Sequence, residues 1–525
     1  MNKPLLLSLV TASILTSTLT AESMYERIES MEVKMKELQN EITTLKASKL
    51  QTLENEKPIQ LVQDTEVDEE EDDTEERISD LEENISDLNK ATNGSHLKFK
   101  ADYRFSADNL QYKMADGSKQ GNSALLANRL WIRMDWKATE NLSFSSQLAY
   151  NKTFGARSGW NFNVPAMERF DWITNENAYD DTLKVRSAYF LYKNDTFMGT
   201  EIPWTFSIGR RPSTNGHLIN LRDDDEASSP MGHSINVEFD GISSKFSFED
   251  LTGIDGSYIK FCAGRGGTNA NPKFFSVDPN SGAIANAAPY SSNEDDIGDI
   301  DLIGLIFVPY NDGQYGIATQ YYYANNLIDA DISYPAGVPT MSGMKTVGGM
   351  HSFTTNITVN GIGNEWSDFL DDTIFFVSGA ISVTDPKDDQ GMLGSRNGES
   401  RTGYSAWVGL QMPSLVTEDG KWGLEYNKGS AYWRSITYAE DTDIGSKLAT
   451  RGDAYEVYFT EPLIDDILSL QVRYTYIDYK YTGSNGFFGN STGSARAIDN
   501  LTPATGSSIV VDKAQDIRFY LRYRY

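Results

Sequence analysis

From Asp516 to Tyr525 the chain alternates without a break. Ile517, Phe519, Leu521, Tyr523 and Tyr525 fall on one side of a period-two ribbon, and Asp516, Arg518, Tyr520, Arg522 and Arg524 on the other. A sheet with one face in water would not align five apolar side chains on its outside, and a dry core would not accept three arginines. A closed barrel with lipid outside and water inside satisfies both faces. The alternation recurs upstream. Leu97, Phe99, Ala101, Tyr103 and Phe105 oppose Lys98, Lys100, Asp102 and Arg104, while Leu130, Ile132, Met134 and Trp136 oppose Arg129, Arg133 and Asp135. Leu142, Phe144, Leu148 and Tyr150 mark a third strand. Further strands are predicted near 183–192, 203–211, 234–248, 257–264, 300–309, 315–325, 347–360, 373–384, 400–412, 421–428, 452–460 and 467–481, and the terminal 514–525 makes sixteen.

The connections support this reading. Links after even-numbered strands are short (139–141, 193–202, 249–256, 310–314), and links after odd-numbered strands are long (108–124, 155–182, 265–299, 482–513). Short periplasmic turns and long outer loops are the habit of outer-membrane barrels. Trp136, Trp204 and Trp422 fall at the periplasmic ends of their strands and, with Tyr523 and Tyr525, predict an inner aromatic girdle. The expected fold is therefore all-β: a 16-stranded antiparallel transmembrane β-barrel over residues 95–525, preceded by an N-terminal α-helical coiled coil.

That N-terminal part divides in two. Residues 1–21 read as a secretory signal, with Lys3 charged, Leu5 to Leu19 mostly apolar and Ala21 at the cleavage point. Residues 22–93 read as periplasmic helices around an acidic linker, 46–74, that holds Pro58 and the run Asp68 to Asp73. Met24, Ile28, Met31, Met35, Leu38, Ile42 and Leu45 form a heptad seam before the linker, and Ile78, Leu81, Ile85 and Leu88 a shorter one after it. The seams predict a homo-oligomer assembled through this coiled coil; two strands and three strands both remain open. Export without an apolar helix long enough to span a bilayer places the barrel in a bacterial outer membrane, with its helices in the periplasm and membrane lipid as a partner. The single cysteine, Cys262, excludes an intrachain disulfide and reads as a packing residue.

Charge sharpens the picture of the lumen. The chain carries a formal charge of −29, about half of it in the N-terminal helices and much of the rest in outer loops such as Glu294–Asp296. The inward faces of the strands are instead basic. Closure of the last strand on the first sets Arg518, Arg522 and Arg524 beside Lys98, Lys100 and Arg104, with Arg129 and Arg133 on the next strand and Arg473 on the fifteenth. The third outer loop carries Asp223, Asp224, Asp225 and Glu226. Folded inward, it would form an acidic constriction opposite the cationic wall, with a transverse field between them.

The expectation is a passive pore for small hydrophilic solutes, leaning towards anions. A substrate-specific channel for a sugar, phosphate or siderophore, and a structural or adhesive surface protein, are the alternatives. His96, His217, His233 and His351 are scattered, and no nucleophile elbow or phosphate loop appears. Asp441-Thr442-Asp443 matches only half of a calcium loop. No catalysis, cofactor, metal or nucleic-acid partner is expected.

Several segments carry a family resemblance. Ile208 to Gly216, reading IGRRPSTNG, resembles a porin strand-to-loop element, and Phe239-Asp240-Gly241-Ile242 accompanies it. Gly429-Ser430-Ala431-Tyr432-Trp433, Ser446 to Gly452 and the aromatic C-terminus resemble an uncharacterised family of porin-like outer-membrane proteins with an N-terminal coiled coil. The resemblance implies a barrel and a pore, and says little about the solute. By a looser analogy with porins that share the layout of coiled coil then barrel, Arg210 or Arg211 would line the pore, and Arg211 fits better because it shares a face with Thr205, Ser207 and Gly209.

Overall fold

The computed structural model describes residues 97–525, apart from 156–177, 271–273, 279, 293–296, 334, 339, 364–365 and 439. The signal, both heptad seams, the acidic linker and Glu294–Asp296 lie outside the described residues.

Sixteen strands close into one antiparallel barrel in which every strand pairs with its sequence neighbours and the last returns to the first. They are β1 Leu97–Met114, β2 Lys119–Lys137, β3 Leu142–Thr153, β4 Tyr179–Asn194, β5 Trp204–Ser213, β6 Val237–Ser247, β7 Tyr258–Gly267 and β8 Ile300–Asn311. The second half comprises β9 Tyr315–Ser333, β10 Thr340–Asn360, β11 Ile374–Pro386, β12 Thr402–Pro413, β13 Lys421–Gly429, β14 Gly452–Ile464, β15 Leu468–Tyr479 and β16 Val511–Arg524. All sixteen predicted strands are present.

The two faces separate as the alternation requires. One outward row runs Ile517, Tyr474, Val457, Leu424, Leu410, Phe375 across β16 to β11. The adjacent inward row is Asp516, Thr475, Glu456, Glu425, Gly409, Phe376. Outward side chains such as Phe144, Ile208, Phe261, Ile303, Phe353 and Ile517 are exposed around the barrel. So much exposed apolar surface is stable only against lipid. Trp136, Trp204, Trp422 and Tyr523 all sit at the end where β16 finishes. There Trp204 stacks on Phe246 at 6.4 Å and meets Phe197 edge-on at 5.4 Å.

Two of the expected long links are largely strand. β1 and β2 run on to a turn at 115–118, and β9 runs on to Ser333 and β10 starts at Thr340, so 108–124 and 326–346 are mostly paired. The period-two signal fades there because outward positions towards the outer rim need not be apolar: Gln111 and Lys113 occupy them on β1. Pairing still satisfies the backbone, so the strands continue.

The lumen is partly filled. The connection 214–236, between β5 and β6, enters it with a short helix, α1 Ile219–Asp223, and the connection 430–451, between β13 and β14, enters it as well. An apolar cluster joins Ile235 and Ile436, from these two loops, to Phe239, Leu302, Tyr322 and Met350 of the wall and to Met392 and Phe488 of two further loops.

Lipid exposure of Ile517 gives a test. Ile517→Arg puts a charge on the lipid face, where the cost rises to about 2–4 kcal/mol towards the bilayer midplane. The variant should therefore show a reduced heat-modifiable folded band after refolding into vesicles, whereas Gln515→Arg, near the rim on the same face, should not.

Candidate functional site

Four adjacent strands, β2, β1, β16 and β15, carry the arginines that were expected to form an open cationic wall. Arg104, Arg129, Arg473, Arg518 and Arg522 do point inward, but each is buried, with 1–4% of its surface exposed. The expectation that they face water is corrected, because the chain brings carboxylates to them.

Asp441, from the inward loop 430–451, is the centre of this network. Arg104 grips it with both arms, the second at 2.8 Å. Arg518 Nη1 donates to it at 3.0 Å, Arg129 lies 3.7 Å away, and Arg473 Nη2 donates to its backbone carbonyl at 2.8 Å. Arg518 also pairs with Asp108 and, at 2.5 Å, with Asp443. Charge-assisted pairs of this kind are strong, and a buried charge requires them. The guanidinium groups around Asp441 hold its carboxyl well below the usual range. Trp131 adds an aromatic face, with Arg129 at 3.4 Å and Arg186 at 4.2 Å from its ring centroid.

The acidic loop touches the wall it was expected to face across water. Arg522 donates to the Asp223 carbonyl at 2.6 Å, to Asp225 at 2.8 Å and to Asp102 at 3.0 Å. Asp224 lies 3.3 Å from Arg524, Asp223 turns its carboxylate to Arg222 at 2.9 Å, and Glu226 is exposed. Leu218 and Asp224, at either end of α1, hold positive φ values of 82° and 50°. Such backbone costs about 1–3 kcal/mol per residue and persists where the surroundings fix it. Here Gln411 and Gln471 do so, donating to the Leu221 and Arg222 carbonyls at 2.8 Å each.

A second charged cluster locks the two loops together. Arg222 reaches Glu440 of loop 430–451 at 3.0 Å and Glu456 of β14 at 3.6 Å. Glu425 and Glu456 stand opposite each other on β13 and β14, and Lys447 bridges them, 2.6 Å from Glu425. His233, in loop 214–236, sits fully buried between the hydroxyls of Ser378 (2.7 Å) and Ser405 (2.9 Å), with Trp407 and Trp433 beside it. Burial pushes its imidazole down to about 3 from the usual 6.5, so it is neutral.

The remaining predicted residues scatter. Lys98 and Lys100 precede the first row paired with β16 and are exposed at the inner rim rather than within the wall. Arg133 is half exposed in the inner part of the lumen and pairs with Asp135 at 2.8 Å. Arg211 faces inward with its guanidinium 4.2 Å from the Tyr189 ring. Sequence reasoning missed Asp108, Glu425, Glu440, Asp441, Asp443, Lys447 and Glu456. Asp441-Thr442-Asp443 was weighed only as a calcium loop; its carboxylates hold arginines. Among the described residues no group of three His, Cys, Asp or Glu side chains could hold a metal ion.

A closed barrel with an apolar exterior and a charged, loop-filled interior defines a β-barrel membrane protein. The chain belongs to the family described as protein of unknown function DUF3373, which matches residues 119–525. Among solved structures it is similar to a high-pH structure of OprB from Pseudomonas putida: 13% identity, 82% of this chain, 94% of that chain, TM-score 0.43. It is also similar to an anion-selective porin from Comamonas acidovorans, at 11% identity, 82% and 99% coverage and a TM-score of 0.42. OmpT, an outer membrane protein of Vibrio cholerae, is similar at 12% identity, 82% and 97% coverage and a TM-score of 0.42. Comparison with curated proteins finds no match.

Removing the central counter-charge should release the loop. Asp441→Asn leaves Arg104 and Arg518 short of charge, a loss of about 3–5 kcal/mol for a broken buried pair. Limited proteolysis should then cut within 430–451, while the folded barrel band persists; Asp240→Asn, at an exposed carboxylate, should leave the loop protected.

His233 gives the docked loops a pH dependence. Its docked value lies below its free value, so docking is complete above about pH 6.5 and weakens as pH falls towards 3, by up to roughly 5 kcal/mol. Tryptophan fluorescence, through Trp407 and Trp433, should change between pH 6 and 4 in the wild type and lose that component in His233→Gln.

Proposed function

We propose that the protein is an outer-membrane channel for small hydrophilic solutes. The observation that carries this reading is the opposition of the two barrel faces. A continuous apolar row faces outward, and directly beside it an inward row carries Asp516, Glu456 and Glu425. Lipid accepts the first and only a polar interior accepts the second.

A lean towards anions fits the same reading but rests on other residues than the arginine wall. That wall is balanced by Asp102, Asp108, Asp225, Asp441 and Asp443 and contributes little net field. Arg211 on β5, Lys245 on β6 and Lys260 on β7 are inward cations outside that balance, and Lys98 and Lys100 add charge at the inner rim.

The two inward loops favour a restricted, substrate-selective bore over a wide general one. Loop 214–236 touches β16 through Arg522, β7 through Ser229 and β9 through Met231, so it crosses the lumen. Hydrogen bonds and ion pairs to loop 430–451 hold it there. Self-association through the heptads of residues 22–93, with these helices in the periplasm, completes the proposal.

Purified full-length protein in planar bilayers should give discrete conductance steps. Replacing 434–447 by a short Gly-Ser link should raise the single-channel conductance about twofold or more by widening the bore. Absence of steps from both forms would remove the channel reading.

A further inference from the structure

This barrel treats like charges on adjacent strands in a consistent way. Glu425 and Glu456 are directly opposite and facing inward, and Lys447 bridges them. Arg473 and Arg518 are directly opposite, and both donate to Asp441, Arg473 to its carbonyl and Arg518 to its carboxylate. Arg104 and Arg522 are directly opposite, and Asp441 takes the first while Asp102 and Asp225 take the second. The rule is physical: like charges opposite each other on neighbouring strands repel, and burial enlarges the cost unless a counter-charge sits between them.

Lys245 and Lys260 break the pattern. They are directly opposite on β6 and β7, both facing the lumen near its inner end, and neither forms an ion pair among the described residues. Lys260 is nine-tenths buried. Its ammonium donates to one neutral group, the Ser229 hydroxyl of the inward loop, at 2.5 Å. Arg211 and Lys245 both lie close enough to repel it. Lys245 is half buried, its ammonium 4.1 Å from the Tyr258 ring centroid, and the carboxylate that attracts it is Glu249 of the inner turn. The next inward row is small: Ser207, Ser243 and Cys262, with the two hydroxyls 2.9 Å apart. Two facing ammonium groups, one of them buried with spare donors, and a row of short side chains therefore meet on one patch of wall, with Arg211 further along β5 on the same face.

We propose that this patch binds a small oxyanion, with Lys245 and Lys260 as its principal ligands, Arg211 as a flanking charge and the loop hydroxyl of Ser229 beside it. The missing counter-charge comes from solution. An anion with several charged oxygens fits better than a halide, because it can accept from both ammonium groups at once. The site lies beneath loop 214–236, so it would hold an anion on the periplasmic side of the narrowest part of the lumen. This deepens the channel reading, since a wet inner lumen is what gives the anion access.

Inorganic phosphate is the probe. Titrated into full-length protein in detergent micelles and followed by calorimetry, it should bind saturably. Lys245→Gln/Lys260→Gln should weaken binding at least tenfold, and Arg211→Gln should weaken it less. Removing mutual repulsion favours folding, and the heat-modifiable band checks that the variants are barrels. No saturable binding to the wild type, or equal binding to the double variant, overturns the site. The same phosphate should block chloride conductance in bilayers in the wild type only. Binding without conductance removes the channel reading and keeps the site; conductance without binding does the reverse.

Discussion

A charge inside a filled barrel cannot be left alone, and the interior of this one is organised around that constraint. Taking an arginine out of water costs several kcal/mol, recovered only when a carboxylate and further hydrogen bonds meet it. Asp441 meets that need for Arg104 and Arg518 at once and lies 3.7 Å from Arg129. Those arginines come from three consecutive strands around the closure, β16, β1 and β2. The loop that carries Asp441 is thereby fastened across the seam where the barrel shuts. Arg222 then ties the second loop to the first through Glu440, 3.0 Å away. Loop positions, the helix α1 and the dryness of the arginine wall all follow from that one bridging carboxylate.

The fold was legible because a strand has period two and lipid enforces it. The terminal strand shows this best: every outward residue from Ile517 to Tyr523 is apolar or aromatic, and every inward one is polar, charged or tyrosine. The signal fails where its cause fails. Past Ala107 the outward positions are Asn109, Gln111 and Lys113, none of them apolar, so the pattern ends at Phe105 while β1 runs to Met114. That shortfall hid Asp108, one of the carboxylates that neutralises Arg518.

The site was far less legible. The arginines could be assigned to an inward face from alternation alone, but their partners could not. Asp441 lies 337 residues from Arg104 and 77 from Arg518, in a stretch with no period at all. Two of the segments by which the chain resembles its family turn out to frame that loop. Trp433, in the first, donates to the Leu448 carbonyl in the second at 2.7 Å, and Arg451 returns a bond to the Trp433 carbonyl at 2.9 Å. These segments are the neck of the inward loop.

Net charge and selectivity separate for the same reason. A chain of −29 should disfavour anions, and an arginine wall should favour them, yet neither count describes the field a solute meets. Charges locked in short, buried pairs cancel within a few ångströms and leave little potential in the water beside them. What a passing ion feels is the residue of that cancellation. On the proposal above, that residue includes the two lysines that stand opposite each other on β6 and β7, with no carboxylate bridging them among the described residues. The arginines and their carboxylates fill the interior of the barrel, and on the channel reading proposed above any discrimination among ions would fall to the lysines, which are fewer and half hidden beneath a loop.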